Sequence, residues 1–351
     1  MEPTRRNPKS HASNIGAGLF AFALLASAAP ALGQESAEAA FYKGKTVTII
    51  TSTGAGGGYD FVARLLARSM PKNMPGAPTM IVQNMPGGGN VVATNYMYEV
   101  APKDGTAIAV VNNAVPLNQV MDGRGVRFDS SKFNWIGSTG GRNEAIFILS
   151  SAGISSVDDL KTKEAVLGGT APGSSIVIFP MAMNRVLGTK FRIVTGYKSS
   201  AEVFLAMDRG EIVARSGTLP SLQTGFPHWL AENRIRFLAQ VGLVRDRELP
   251  DVPLLTELAQ TDEQRRVLAL ISSPPALGQP YLAPPGVPRA RVDTLRAAFA
   301  KTIAEADFIA EAGKAGIDIM PMSGPDVAKI IDEVVNADPE IIRQARAALA
   351  N

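Results

Sequence analysis

Hydroxyls, glycines and one carboxylate are concentrated in a single run, Thr51-Ser52-Thr53-Gly54-Ala55-Gly56-Gly57-Gly58-Tyr59-Asp60, whose composition suits capture of an anion. Glycines admit positive φ and bring backbone N–H groups close to a ligand. Ahead of the run, residues 47–51 are apolar and β-branched and should form a buried strand. Behind it, Phe61, Val62, Leu65 and Leu66 recur with helical spacing as far as Pro71. The first N–H groups of such a helix have no internal partner, and its dipole favours a negative group there. Three occupants fit: a dinucleotide, a phosphate-loop nucleotide, or a carboxylate in a binding protein. A purely structural glycine turn is the fourth reading.

The elements that would position this cradle repeat its order. Residues 79–83 read as a second strand and lead through Pro86-Gly87-Gly88-Gly89-Asn90 into a helical stretch, 91–100. A third strand, 107–111, ends in Asn112 and Asn113, two amides placed to line the same crevice. In a parallel sheet all three turns fall at the carboxyl ends of strands, where open α/β sheets take their ligands. Strands at 133–138 and 145–149 flank the polar stretch 139–144, where a second domain is expected to begin. There a brief strand at 165–168 enters Thr170-Ala171-Pro172-Gly173-Ser174-Ser175 and an amphipathic run, 176–187. This is the cradle again with hydroxyls added, although helix capping alone would explain one of the serines. After a strand at 191–195 come Gly196-Tyr197-Lys198 and a helix starting at Ser199, with Ser199 and Glu202 at capping-box spacing. Arg215-Ser216-Gly217-Thr218 is expected at the end of a strand, 212–214, and Arg215 joins the candidates there. The proline-rich stretch 273–286 reads as the return to the first domain, followed by terminal helices with a strand at 317–320 between them.

Composition removes most catalytic schemes. The chain has 351 residues, 46% hydrophobic, with no cysteine and two histidines. Residues 1–33, basic at first and then apolar with a small-residue end, are expected to be a secretory signal peptide. Without that leader, three of 35 basic and one of 32 acidic residues are lost, leaving 32 against 31. Such a balance argues against nucleic acid, which selects a basic stripe. Absence of cysteine excludes disulfides, thiolate metal sites, cysteine nucleophiles and a lipid-anchored cysteine. Export without a lipid anchor is therefore expected. His228, in Gly225-Phe226-Pro227-His228-Trp229, is the only histidine left for a triad, and no G-x-S-x-G elbow accompanies it. It reads as a surface or packing residue. No metal and no cofactor is expected.

Nucleotides fit the cradle poorly. In G-x-G-x-x-G register, Gly54 and Gly56 are followed by Tyr59, and Gln83-Asn84 stand where a ribose-binding acid belongs. A carboxylate fits by magnitude: hydrogen bonds to a charged group contribute roughly 1.5–3 kcal/mol each, and micromolar affinity needs about 8 kcal/mol. Two cradles closing from opposite sides would supply it.

Tyr42-Lys43-Gly44-Lys45, Gly56-Gly57-Gly58-Tyr59-Asp60, Ala63-Arg64-Leu65-Leu66, Asn84-Met85-Pro86-Gly87-Gly88-Gly89-Asn90, Ala101-Pro102-Lys103-Asp104-Gly105-Thr106, Val194-Thr195-Gly196-Tyr197-Lys198 and Gly210-Glu211 together resemble the Bug family, the extracytoplasmic solute receptors of tripartite tricarboxylate transporters. The resemblance spans nearly the whole chain after the leader. It implies a type II periplasmic binding fold, two α/β domains joined by a strand hinge with the ligand cleft between them. The expected division is 41–142 with 273–351 as the first domain and 143–272 as the second. Carried over residue by residue, it places ligand contacts at Gly56, Gly57, Gly58, Tyr59, Asp60, Gly173, Ser174 and Ser175. Asn112, Asn113, Tyr197 and Arg215 complete the candidate set. The implied location is the periplasm, and the implied partners are a small organic carboxylate and integral-membrane permease subunits, with the receptor itself a monomer and not an enzyme. Many relatives have a proline before the glycines and threonine or serine before the aspartate, where this chain has Ala55 and Tyr59. A sensor receptor, or an exported enzyme using Asp60 or Glu144 as acid or base, are the alternatives. Arg142 and Arg215 would each pair a second carboxylate or serve as surface or hinge residues.

Overall fold

The computed structural model describes residues 36–350 apart from 122, 124, 170–173, 198 and 199. The expected leader, 1–33, lies outside the described residues, as does Gly173. Two sheets organise the chain. The first has the order β11-β4-β10-β3-β1-β2, from β1 Thr46–Thr51, β2 Thr79–Asn84, β3 Ala107–Val110, β4 Asn134–Ser138, β10 Pro280–Ala283 and β11 Met322–Ser323. The second has the order β7-β6-β8-β5-β9, from β5 Glu144–Leu149, β6 Ala165–Gly168, β7 Phe191–Val194, β8 Ala214–Thr218 and β9 Ile235–Val241.

Alternation along the strands explains why each sheet is covered on both faces. In β1, Val47 and Ile49 enter a cluster with Val62, Leu65 and Leu66 of the helix Gly58–Ser69, while Ile50 enters another with Ala93 and Met97 of the helix Val91–Glu99. Tyr281 and Leu282 of β10 divide in the same way between those two clusters. In the second sheet, Ile146 and Ile148 face one cluster and Phe147 and Leu149 the other. The C-terminal helix Pro339–Leu349, placed with the first domain from sequence, buries Ile341, Ala345 and Ala348 in the cluster that holds Ile146 and Ile148.

Strand directions bring the loops of the two sheets to one place. β1 runs parallel to β2 and β3, and β10 is antiparallel to both β3 and β4, so β1 to β4 all point the same way. The chain leaves the carboxyl end of β4 and enters β5 at Glu144 after only residues 139–143. Glu144 pairs with Thr218, so the start of β5 lies beside the end of β8, and β6 runs parallel to β8. Carboxyl ends from both sheets therefore adjoin the same crossing.

Two expectations differ from the structure. Residues 317–320 form no strand; the pairing there is the two-residue β11, which lies against Gly137 and Ser138 of β4. The stretch 273–286, expected as the return to the first domain, does rejoin the first sheet, but as the helix Ser273–Leu277 and the central strand β10, elements its prolines and glycines did not suggest. Pro280 opens that strand, where its missing N–H costs no ladder bond, and its carbonyl accepts from the Val111 N–H.

Candidate functional site

The first loop is held by its own carboxylate. Gly56 has φ +85°, a conformation in which a side chain is strained, and its N–H donates to Asp60 Oδ2 at 2.9 Å. Arg64 Nε donates to the same oxygen at 3.0 Å, and Asn84 Nδ2 donates to Oδ1 at 2.9 Å. Asn84 also donates to the Thr53 carbonyl and accepts from Arg64. Asp60 is 4% exposed, and the Arg64 guanidinium, helped by Gly56 and Asn84, holds its carboxyl down at about 2. Asp60, a candidate ligand contact, thus clasps the loop to the end of β2. Gly54, Gly56 and Gly57 border open space, and the N–H groups of Gly58, Tyr59 and Asp60 occupy the first helical turn.

Tyr59 crosses the carboxyl ends of β1 and β3. Its hydroxyl accepts from the Asn113 N–H at 3.2 Å and donates to the Gly278 carbonyl at 3.1 Å, and burial pushes it up to about 12. Asn112 is engaged locally: its N–H donates to Ser52 Oγ, and its Oδ1 accepts from Ala114 N, both at 3.0 Å. Gly278, at φ +58°, belongs to the second crossing, 272–279, and lies directly on the first. A Cβ there would stand 2.0 Å from the Gly140 carbonyl carbon, and one on Gly141 would stand 2.6 Å from Gly278 Cα. Glycine is required wherever two backbones approach so closely.

Arg142 ties this crossing to both sides. Its guanidinium meets Asp246 at 3.3 Å, Glu248 at 2.5 Å and Asp318 at 2.7 Å. Burial opposes its charge, but Glu248, Asp318 and Asp246 outweigh that and raise its pKa. Here the hinge reading of Arg142 describes its contacts, since it already carries three carboxylates.

On the second sheet, Ser174 precedes the helix Ser175–Ala182 with no capping bond from its side chain, and Ser175 opens it. The Ser175 hydroxyl bonds Glu144, and Ser216 Oγ donates to Glu144 Oε2 at 2.8 Å. Burial raises the Glu144 carboxyl, opposed by the two hydroxyls and by Arg215. Tyr197 packs its ring at the end of β6, where a Cβ on Gly168 would stand 3.2 Å from Tyr197 Cε2.

Arg215 is not at a strand end. It lies within β8 opposite Phe147, 2% exposed, with its guanidinium 3.8 Å from the Phe204 ring centre and 5.8 Å from that of Phe147. Its Nε donates to the Ser216 carbonyl, and burial depresses its pKa to about 10 against the opposite pull of Glu144. The strand extends past Ala214 because Ser216 and Gly217 are small enough to pair with Ile146 and Ala145 of β5.

Glu144 and Ser216 lie beside Ser175, yet sequence reasoning gave Glu144 only to the enzyme alternative and did not single out Ser216. The available signal was Glu144 closing the polar run 139–144 immediately before an apolar strand. His228 is exposed, with its ring against Phe226 and Trp229. Among the described residues no group of three or more His, Cys, Asp or Glu is placed to hold a metal ion, and no helix is long and apolar enough to cross a membrane.

Comparison with known proteins gives this geometry relatives. Residues 62–346 match the family described as the tripartite tricarboxylate transporter family receptor. A TctC solute-binding protein from Polaromonas, without ligand, is 19% identical with a TM-score of 0.70, covering 86% of this chain and 99% of that one. Rpa4515 of R. palustris with adipate is 19% identical at TM-score 0.57, covering 86% and 97%. MatC from Rhodopseudomonas palustris with bound malate is 18% identical at TM-score 0.54, covering 87% and 99%. All three share the fold of periplasmic binding proteins of the TctC type, as the sequence led one to expect.

Proposed function

The chain belongs to the tripartite tricarboxylate transporter receptor family, and we propose that it captures an organic carboxylate in a cleft between its two sheets and delivers it to a membrane permease. The observation that carries this reading is the convergence of two helix-opening loops on one crossing. Residues 52–60 from the first sheet and 174–175 from the second both lie at carboxyl ends beside 139–143. The first loop arrives rigid, because Asp60 and Asn84 fix it, so its helical N–H groups need no reordering when an anion binds. Adipate and malate in two of the similar structures support a carboxylate as the ligand class.

On this reading the bodies expected from sequence, 41–142 with 273–351 and 143–272, close over the ligand by bending at 139–143 and 272–279. One amendment to that division is the helix Pro339–Leu349, which would move with 143–272 and not with the first body, because its apolar face is buried there. The work is capture and release in the periplasm, with no chemistry done on the ligand. Calorimetric titration of ligand-stripped protein against mono-, di- and tricarboxylates tests it: at least one should bind at micromolar strength or better, and silence across the panel would defeat the proposal.

A further inference from the structure

We propose that Gln279 is a ligand-binding residue of the first loop, its side-chain NH2 donating to the carboxylate that the helix Gly58–Ser69 receives at its first turn. The proposal rests on the carboxylate reading above and adds to it a contact from the crossing itself.

Gln279 ends the second crossing, one residue before β10, and its carbonyl accepts from the Thr139 N–H of the first crossing at 3.4 Å. Its half-buried side chain runs to the start of the helix. A Cβ on Gly58 would stand 3.8 Å from Gln279 Nε2 and 3.8 Å from Ile317 Cδ1, so an amide and an apolar side chain flank the first turn on this side. Among the described residues neither end of that amide has a hydrogen-bond partner, and its Oε1 is buried. Two residues on, the fully buried Tyr281 carries a hydroxyl in the same condition. Native chains pair almost all of their buried polar groups, and the exceptions call for a water, an ion or a ligand. A leucine at 279 would leave no polar group unpaired beside Ile317. The amide gains a partner only when something outside the chain supplies one.

The surroundings select what that partner is. Beside Nε2 lie the N–H groups of Gly58, Tyr59 and Asp60, which have no acceptor within their own helix. A group that accepts from them can accept from Nε2 as well. A carboxylate has about four lone-pair positions on its two oxygens, enough for two backbone N–H groups and the side-chain NH2 together. Hydrogen bonds to an ionised acceptor are the stronger class, and Ile317 keeps water from one flank of this one. Asp60, in the same turn, is bonded to Gly56, Arg64 and Asn84 and not to Gln279.

Two substitutions test the assignment, by calorimetric titration of the ligand-stripped protein with acetate, succinate, adipate and citrate and by thermal unfolding without ligand. Gln279→Leu removes the donor together with the unpaired Oε1. Each carboxylate that the wild type binds should be held about tenfold more weakly, while the ligand-free melting temperature stays level or rises. Loss of a purely structural contact would lower both. Gln279→Glu keeps the shape and sets a like charge beside the ligand, so it should weaken binding further than leucine does. Unchanged affinity in either variant, or affinity and melting temperature falling together in Gln279→Leu, overturns the role of Gln279 and leaves a carboxylate receptor standing. Binding of no carboxylate by the wild type overturns the parent reading and this one with it. Where Gln279→Leu does not fold, the affinities of Gln279→Glu decide alone.

Discussion

Replacing Asp60 by asparagine separates a loop clasp from a ligand contact. In the folded chain Arg64, Gly56 and Asn84 hold the Asp60 carboxyl at about 2, against an ordinary 3.8. A difference of that size corresponds to about 2.4 kcal/mol of stability at neutral pH. Arg64 is 47% exposed, so solvent screens the ion pair, and about 1–2 kcal/mol is the expected loss in Asp60→Asn. Because the folded carboxyl is the stronger acid, its contribution is complete above the unfolded value near pH 4 and disappears as pH falls towards about 2. Thermal unfolding of the two ligand-free proteins across that range is the assay. The variant should melt several degrees lower at neutral pH, and the two curves should converge at the acid end. Equal stability at neutral pH, together with a reordered preference among carboxylates, would refute the clasp and return Asp60 to the ligand.

The crossings supply two further expectations. Tyr59→Phe removes a hydroxyl that both accepts and donates, stranding the Asn113 N–H and the Gly278 carbonyl; it should cost about 1–3 kcal/mol, read as a lower urea midpoint with an unchanged slope. Arg142→Gln leaves Asp246, whose side chain is 7% exposed, facing Glu248 and Asp318 with no cation between them. A loss of about 2–4 kcal/mol is expected, partly restored by high salt in the variant and not in the wild type, in paired denaturation curves.

What the sequence disclosed and what it concealed divide along the range of the interactions. β1, β2 and β3 were legible because apolar and β-branched runs between glycine turns carry their own signal, and the glycine-rich loop followed from the strand before it and the helix after it. The strand β10 was not. Proline and glycine dominate residues 273–286, and only partners more than a hundred residues away, in β3 and β4, make Pro280–Ala283 extended. Arg215 was misplaced for a similar reason, since the apolar run 212–214 suggested that the strand ended before it, while Phe147 and Phe204 provide a buried aromatic seat that only the fold assembles. Asp60 was legible as a carboxylate at the start of a helix, but its bond to Arg64 was not drawn from the sequence, and Asn84 joins them only through the pairing of β1 with β2.

Tyr59 makes the loop and the crossing a single mechanical part. Its backbone belongs to the first turn of the helix Gly58–Ser69, while its hydroxyl grips Gly278, whose backbone lies on Gly140 and Gly141. A ligand can shift the balance between open and closed forms only through contacts that differ between them. On the proposed reading, an anion seated on the first turn would touch Tyr59, and the Tyr59 hydroxyl is bonded to Gly278 of the crossing proposed to bend. The absence of a side chain at Gly140, Gly141 and Gly278 lets the two crossings lie backbone against backbone, and Arg142, with acids drawn from both sides, resists their separation. Where this chain has Tyr59, a threonine or serine hydroxyl would be too short to span from the helix to Gly278. If the proposed closure occurs, Tyr59 would act on it through Gly278, and closure is where its replacement should be felt first.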